Sequence, residues 1–177
     1  MYILSQIFIV ISCGFYSATY LAKKKYWIVV LNTLNKLCLG IHFLLLKGYT
    51  ASLAVLLSIV FLITMFFIEK HQKERFSYIA TIIFSLLLIP ITILTWQNAF
   101  SLLSVFASLL TFVGTALKNT LCVKLCYFVS TTLNAIYMFI IRSYFGFATS
   151  LIIITIAIVG IINHIKNLRK EKSLAIR

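Results

Sequence analysis

Long apolar runs constrain the fold of this chain more than any other feature. Residues Ala51–Ile68 and Leu151–Ile162 contain no charged side chain. Hydrophobic residues make up 62% of the sequence, and its mean hydropathy is +1.08. A soluble domain is roughly 45–50% apolar. A chain of 177 residues cannot hide this much apolar surface in one water-soluble core, so its solvent must be lipid.

Lipid leaves two kinds of fold, because only helices and closed barrels satisfy their backbone hydrogen bonds there. The apolar runs do not alternate with polar residues as barrel strands would. The sequence therefore predicts an all-α membrane protein. A span needs about 20 mainly apolar residues. Seven segments meet this need: 2–22, 26–46, 50–68, 76–95, 99–117, 121–141 and 145–165.

The charged turns between the predicted spans repeat after about 95 residues. The basic turn Lys23-Lys24-Lys25 returns at Lys118–Lys124, and the cap Lys47-Gly48-Tyr49 returns as Arg142-Ser143-Tyr144. A unit of three spans crosses the membrane an odd number of times, so a second unit joined directly to it would be inverted. A fourth span between the units keeps the second parallel to the first. We predict two parallel three-helix repeats joined by a linker helix (3+1+3). The expected boundaries are 1–69 for the first repeat, 70–97 for the linker, 98–165 for the second repeat and 166–177 for a basic cytoplasmic tail.

The net charge of +13 points to orientation in a membrane rather than to nucleic acid. The Lys and Arg residues form short clusters between apolar runs, as the positive-inside rule requires. With the N-terminus outside, the outer side holds only Lys47 and Arg142. Lys36 lies within a span, and every other Lys and Arg falls on the inner side. We therefore expect a multi-pass protein with its N-terminus outside and its C-terminus in the cytoplasm.

The sequence offers no pattern for a metal, a cofactor or a catalytic centre. Its four cysteines lack the paired spacing of a metal site and are interpreted as apolar fillers within the spans. No His-Glu pairing suits zinc hydrolysis, and without any Asp there is no aspartyl dyad. We expect neither an enzyme nor a bound cofactor or metal. The cysteines are Cys13, Cys38, Cys122 and Cys126.

Three stretches carry a resemblance to a known family. The segment Leu39–Tyr49, the basic turn before it and the stretch Thr131–Lys166 resemble the YgjV family of bacterial inner-membrane proteins. The resemblance implies a place in the bacterial inner (cytoplasmic) membrane. The layout is also similar to that of the SWEET, PQ-loop and PnuC transporters, which have three, one and three spans. That wider likeness implies small-solute movement by alternating access. The paired Pro-Gln hinges of PQ-loop proteins are absent from both repeats.

Polar residues form matching stripes on the second and sixth spans. Helical spacing places four of them on one face of the second span. The repeat offset places four others on the sixth span, and Asn134, opposite Leu39, joins them. Two such helices could line a central path. They could equally hold helices together by hydrogen bonds, or anchor tyrosines at the membrane interface. The stripes consist of Asn32, Asn35, Lys36 and His42, and of Tyr127, Ser130, Thr131, Asn134 and Tyr137.

Among these residues, Lys36 gives the strongest indication of a solute path. It lies near the midplane, where a lysine costs about 2.5–3.5 kcal/mol or more. No glutamate lies well inside a span to relieve it. Lys36 is therefore neutral, solvated in a cavity, or paired with an anionic solute. His42 could relay a proton, or simply hydrogen-bond a neighbouring helix.

Two functions follow from these features. The first is a transporter-like protein that moves a small hydrophilic solute by facilitated diffusion, with an anionic solute favoured by Lys36. The absence of carboxylates within the spans argues against strong ion coupling. The alternative is a non-transporting membrane partner, such as an assembly subunit, an immunity protein or a sensor. The expected partners are the lipid bilayer and a small-molecule solute, without nucleic acid, and homo-oligomerisation stays open.

Overall fold

The fold is all-α, as predicted. The computed structural model describes residues 2–22, 24–70, 74–96 and 99–175, and within these ranges it has seven helices and no strand. Lys23, Lys73 and Arg177, predicted for the inner side, lie outside the described residues. The helices are α1 (Tyr2–Leu21), α2 (Lys25–Leu45), α3 (Tyr49–Lys70), α4 (Glu74–Leu94), α5 (Ser101–Ala116), α6 (Thr120–Ile140) and α7 (Tyr144–Ala175).

Six of the helices in the described ranges are long and apolar enough to cross a membrane. The exception is α5, an apolar helix of 16 residues where 99–117 was predicted. The predicted span 145–165 lies within α7, which continues through most of the basic tail. Residues 166–175 contain neither Gly nor Pro, and most are strong helix formers, so nothing local stops the helix at residue 165.

The two repeats end their second helices in the same turn. Lys47 and Arg142 are the non-glycine residues of the described chain with positive φ, at 61° and 58°, and they lie 95 positions apart. After α2, the Gly48 amide donates to the carbonyl of Phe43 at 2.9 Å. After α6, the equivalent bond runs from the Ser143 amide and is also 2.9 Å long. Both are Schellman motifs, which turn the chain sharply into the next helix.

The helices pack as a ring that reflects the repeat. Each helix contacts the next in the order α1, α2, α3, α5, α6 and α7, and α7 in turn contacts α1. Exchanging the two repeats maps this ring onto itself, as expected for parallel repeats related by a pseudo-twofold axis. The linker helix α4 packs outside the ring, against α3 and α5. Helices α2 and α6 therefore occupy opposite positions in the ring.

The two ends of the ring differ in composition. We call the end that carries the α2–α3 and α6–α7 turns the turn end, and the opposite end, which carries Lys24 and Lys118, the basic end. One apolar cluster, with Phe43 and Tyr137, fills the interior toward the turn end. Another, with Tyr16 and Tyr127, fills it toward the basic end. Large apolar side chains cover much of the outer surface, which suits contact with lipid.

Candidate functional site

The nine residues of the two polar stripes all lie inside the ring. None is more than 8% exposed, although most of their neighbours on the outer faces of α2 and α6 are. The stripes face each other because α2 and α6 occupy opposite positions. Their members are Asn32, Asn35, Lys36 and His42 on α2, and Tyr127, Ser130, Thr131, Asn134 and Tyr137 on α6.

A cavity of about 30 Å³ lies between α1, α2, α6 and α7. This volume suits about one water molecule. Four of the nine stripe residues line it, namely Asn35, Lys36, Thr131 and Asn134. The remaining lining residues are Ile9, Ser12, Tyr16, Leu39, Met138, Thr149, Ser150 and Ile153.

Sequence reasoning missed the polar contribution of α1 and α7. Ser12 and Tyr16 line the cavity from α1, and Thr149 and Ser150 line it from α7. Their signal in the sequence is weak, because small hydroxyl residues are common in membrane helices and usually bond their own backbone. The spacing of Ser12 and Tyr16, one helical turn apart, was the available clue.

Lys36 is the unusual member of the cavity wall. Its side chain is 2% exposed, and it lies one residue beyond the midpoint of α2. Within the described residues, no hydrogen bond or ion pair to its ammonium group is seen. Glu69, Glu74 and Glu171, the acidic residues of the chain, lie at or beyond the ends of their spans. A lysine in this position is costly for a purely structural role.

Asn35 and its repeat counterpart Ser130 tie neighbouring helices together. Asn35 accepts a hydrogen bond from Ser12 Oγ at 2.6 Å, which joins α2 to α1. Ser130 donates to the carbonyl of Ala107 at 2.8 Å, which joins α6 to α5. Asn35 also donates to Asn32 Oδ1 at 3.4 Å. Asn32 and Ser130 thus make interhelical or intrahelical contacts away from the cavity.

Every hydroxyl that lines the cavity already donates its proton to another acceptor. These bonds leave the oxygen lone pairs as the remaining hydrogen-bonding capacity of the hydroxyls. The acceptors are Asn35 Oδ1 for Ser12, the carbonyl of Tyr127 for Tyr16 and Thr131, and the carbonyl of Gly146 for Thr149 and Ser150.

His42 closes the interior at the turn end. Its Nδ1 lies 2.9 Å from both the hydroxyl and the carbonyl oxygen of Ser5 in α1. Its Nε2 lies 3.4 Å from Ser143 Oγ in the turn of the other repeat. Tyr137, the repeat counterpart of His42, makes the reciprocal approach, since a Cβ built on Gly48 would lie 3.7 Å from the Tyr137 hydroxyl. These contacts join the two repeats above the cavity.

An aromatic group closes the interior at the basic end. The rings of Tyr16 and Tyr127 stack with centroids 6.3 Å apart, and Tyr20 packs edge-on against Tyr16 at 5.6 Å. The Tyr127 hydroxyl lies 2.8 Å from Thr115 Oγ1. Lys124 Nζ donates to the carbonyl of Tyr20 at 2.9 Å, so this end is also held by contacts between the repeats.

Metal ligands are not gathered anywhere in the described part of the chain. Residues 2–22, 24–70, 74–96 and 99–175 contain no group of three His, Cys, Asp or Glu that could hold an ion. The four cysteines are free thiols.

Comparison with known proteins identifies the family of this chain. No curated protein and no solved structure matches the chain. A family model described as a bacterial inner membrane protein does match, and it spans residues 3–168, nearly the whole length. With its apolar ring of helices and its membrane-spanning segments, the chain belongs to the Imp-YgjV family of bacterial inner membrane proteins.

Proposed function

We propose that this protein moves a small hydrophilic, anionic solute across the inner membrane and catalyses no reaction on it. The observation that carries the proposal is Lys36, whose ammonium group has no partner in the described part of the chain and lines a cavity near the middle of α2, between the two repeats. Transporters built from repeats bind their solutes in this position. A bound anion would supply the counter-charge that the chain itself does not place there.

Alternating access is the mechanism that suits this arrangement. The cavity is closed toward the turn end by His42 and Tyr137, and toward the basic end by Tyr16, Tyr20 and Tyr127. Both closures consist mainly of contacts between repeats, so rocking one repeat against the other would open one end at a time. The 3+1+3 layout, similar to that of SWEET transporters, supports the same mechanism.

Facilitated diffusion is the expected mode of transport. Sodium sites and many proton relays in membranes use Asp or Glu, and the cavity wall contains neither. The solute should therefore equilibrate without accumulating. Accumulation that collapses on addition of an uncoupler would contradict this part of the proposal.

The proposed orientation places the turn end outside and the basic end in the cytoplasm. The distribution of Lys and Arg supports this orientation, since the turn end holds only Lys47 and Arg142. Alkaline phosphatase fused after Arg177 should be inactive in cells, whereas green fluorescent protein fused there should fluoresce. The opposite pair of results would reverse the assignment.

A flux assay in proteoliposomes tests the transport function. Purified protein would be reconstituted and assayed for uptake from a mixture of small organic anions and neutral metabolites, with mass-spectrometric readout. We expect saturable uptake that Lys36→Met abolishes. Lys47→Met, which changes an exposed lysine in the turn after the same helix, is the matched control and should retain uptake.

A non-transporting partner protein is the competing function, and the small volume of the cavity favours it. About 30 Å³ admits no metabolite without movement of the helices. In that case Lys36→Met should leave every measured flux at the level of protein-free liposomes, as the wild type would. Co-purification of a stoichiometric membrane protein would then point to an assembly role.

A further inference from the structure

The hydrogen-bonding groups around the cavity describe the solute more closely than its charge alone. The Lys36 ammonium has three donors, and no acceptor among the described residues engages it. A cation in this setting demands a negatively charged acceptor, or several neutral ones, within a few ångströms. A carboxylate meets this demand with one group.

Asn134 adds a second requirement. Its side chain lines the same cavity from α6, and its Oδ1 is buried with no hydrogen-bond partner. A buried amide left unpaired is costly, by an amount comparable to a lost hydrogen bond. A solute that carries only an acceptor would leave this oxygen unpaired. A solute that also carries a donor would satisfy it.

The hydroxyl groups that line the cavity also favour a solute that carries a hydrogen-bond donor. The protons of Ser12, Thr131, Thr149 and Ser150 are engaged elsewhere, so these side chains present lone pairs to the cavity. Apart from the Lys36 ammonium and the amide nitrogens of Asn35 and Asn134, the polar wall is a surface of acceptors.

We propose that the solute is a small hydroxycarboxylate, whose carboxylate binds Lys36 and whose neighbouring hydroxyl donates to Asn134. This inference rests on the transport function proposed above and narrows its solute class. The cavity is small, so the bound group must be compact, and the surrounding helices must part to admit even a three-carbon acid. Long-chain acids are excluded from the class because the cavity is small. Multiply charged acids are excluded because a single ammonium faces the cavity.

Three acids of equal carbon number test the inference directly. Propionate, lactate and glycerate carry zero, one and two hydroxyls on the same three-carbon frame. Thermal unfolding of the full-length protein in detergent would be followed against each sodium salt at constant sodium concentration. We expect lactate and glycerate to bind about fivefold or more tightly than propionate, as one satisfied buried hydrogen bond implies. Equal binding of the three acids would overturn the inference.

Substitutions at Lys36 and Asn134 test which side chain binds which group of the solute. Lys36→Met should lose binding of all three acids, while Lys47→Met should bind them as the wild type does. Asn134→Leu should keep binding of propionate and lose the preference for lactate, and Asn134→Ala repeats the test with a smaller side chain. A preference that survives both Asn134 substitutions would overturn the assignment of the hydroxyl.

These binding experiments can fail without contradicting the proposed transport function, and the transport function can fail without contradicting them. If none of the three acids binds while another solute shows Lys36-dependent flux in proteoliposomes, the inference is wrong and the transport function stands. If the acids bind with the expected order but no flux is seen, the site is established as a binding site and the transport function is wrong.

Discussion

His42 of α2 contacts Ser143 in the α6–α7 turn, with Nε2 and Oγ 3.4 Å apart, and so joins the two repeats at the turn end. Ser143 occupies the position in the second repeat that Gly48 occupies in the first. Tyr137, the counterpart of His42, points toward Gly48 in return. The second helix of each repeat thus reaches the turn of the other, which makes this pair of contacts a natural closure for a path between them.

Breaking the His42 contact should open the cavity from the turn end alone. Thr131→Cys would place a thiol in the cavity wall, in a protein whose native cysteines are replaced by serine. We expect His42→Ala to raise the rate of labelling of this thiol by a membrane-impermeant maleimide several-fold from the turn side, and not from the basic side. The replaced cysteines are Cys13, Cys38, Cys122 and Cys126.

Leu44→Ala is the matched control for this closure. Leu44 lies two residues after His42 on α2 but is 54% exposed, on the lipid-facing side. Its substitution should leave the labelling rate unchanged. Equal labelling in His42→Ala and Leu44→Ala, from either side, would show that His42 does not close the path.

Replacing either of two buried lysines by methionine should change the stability of the protein, but in opposite directions. Lys36 has no partner among the described residues, whereas Lys124 donates to the carbonyl of Tyr20 at 2.9 Å. In the absence of solute, Lys36→Met should stabilise the protein by about 2 kcal/mol or more, because it removes a costly unpaired charge. Lys124→Met should destabilise it by about 1–3 kcal/mol, because the carbonyl loses a charged donor.

Reversible unfolding in mixed micelles of detergent and dodecyl sulfate would measure both changes in the free energy of unfolding. The two methionine variants are matched in volume and chemistry, so differences in apolar burial largely cancel. A loss of stability in Lys36→Met comparable to that in Lys124→Met would show that Lys36 is satisfied within the protein, which would remove the main argument for an anionic solute.

The sequence predicted the helices well because lipid imposes their length. The turns after α2 and α6 could be located from Lys47 and Arg142, since a charged residue between apolar runs marks the end of a span. The secondary structure of the basic tail 166–177 was not predicted; α7 continues through most of it, because its residues are mostly strong helix formers.

The interior could be predicted only in part. Periodicity placed Lys36 and Asn134 on inward faces, where the structure has them. It could not show that α1 and α7 would complete the cavity wall, because the order of helices around the ring depends on packing between helices distant in sequence. For the same reason, the contact between His42 and Ser143 was not visible in either stripe.

Glycine at the positive-φ position of either turn should stabilise the protein. Lys47 and Arg142 adopt φ values of 61° and 58°, in the left-handed region that disfavours side chains with a Cβ. We expect Lys47→Gly and Arg142→Gly each to raise the free energy of unfolding by about 0.5–1 kcal/mol. The corresponding alanine variants keep the Cβ and lose the same charge, so they should show no gain. A gain in the alanine variants as large as in the glycine variants would assign it to charge instead.

Two helical glycines should differ sharply in their tolerance of a methyl group. A Cβ built on Gly114 of α5 would lie 2.6 Å from Cys126 Cβ on α6, too close for either helix to keep its position. Gly114→Ala should therefore destabilise the protein by about 1–3 kcal/mol. Gly14 of α1 has no heavy atom within 4 Å of such a Cβ, so Gly14→Ala should be neutral or stabilising by up to about 1 kcal/mol. Micellar unfolding of both variants would measure the difference, and equal effects would contradict the close packing of α5 on α6.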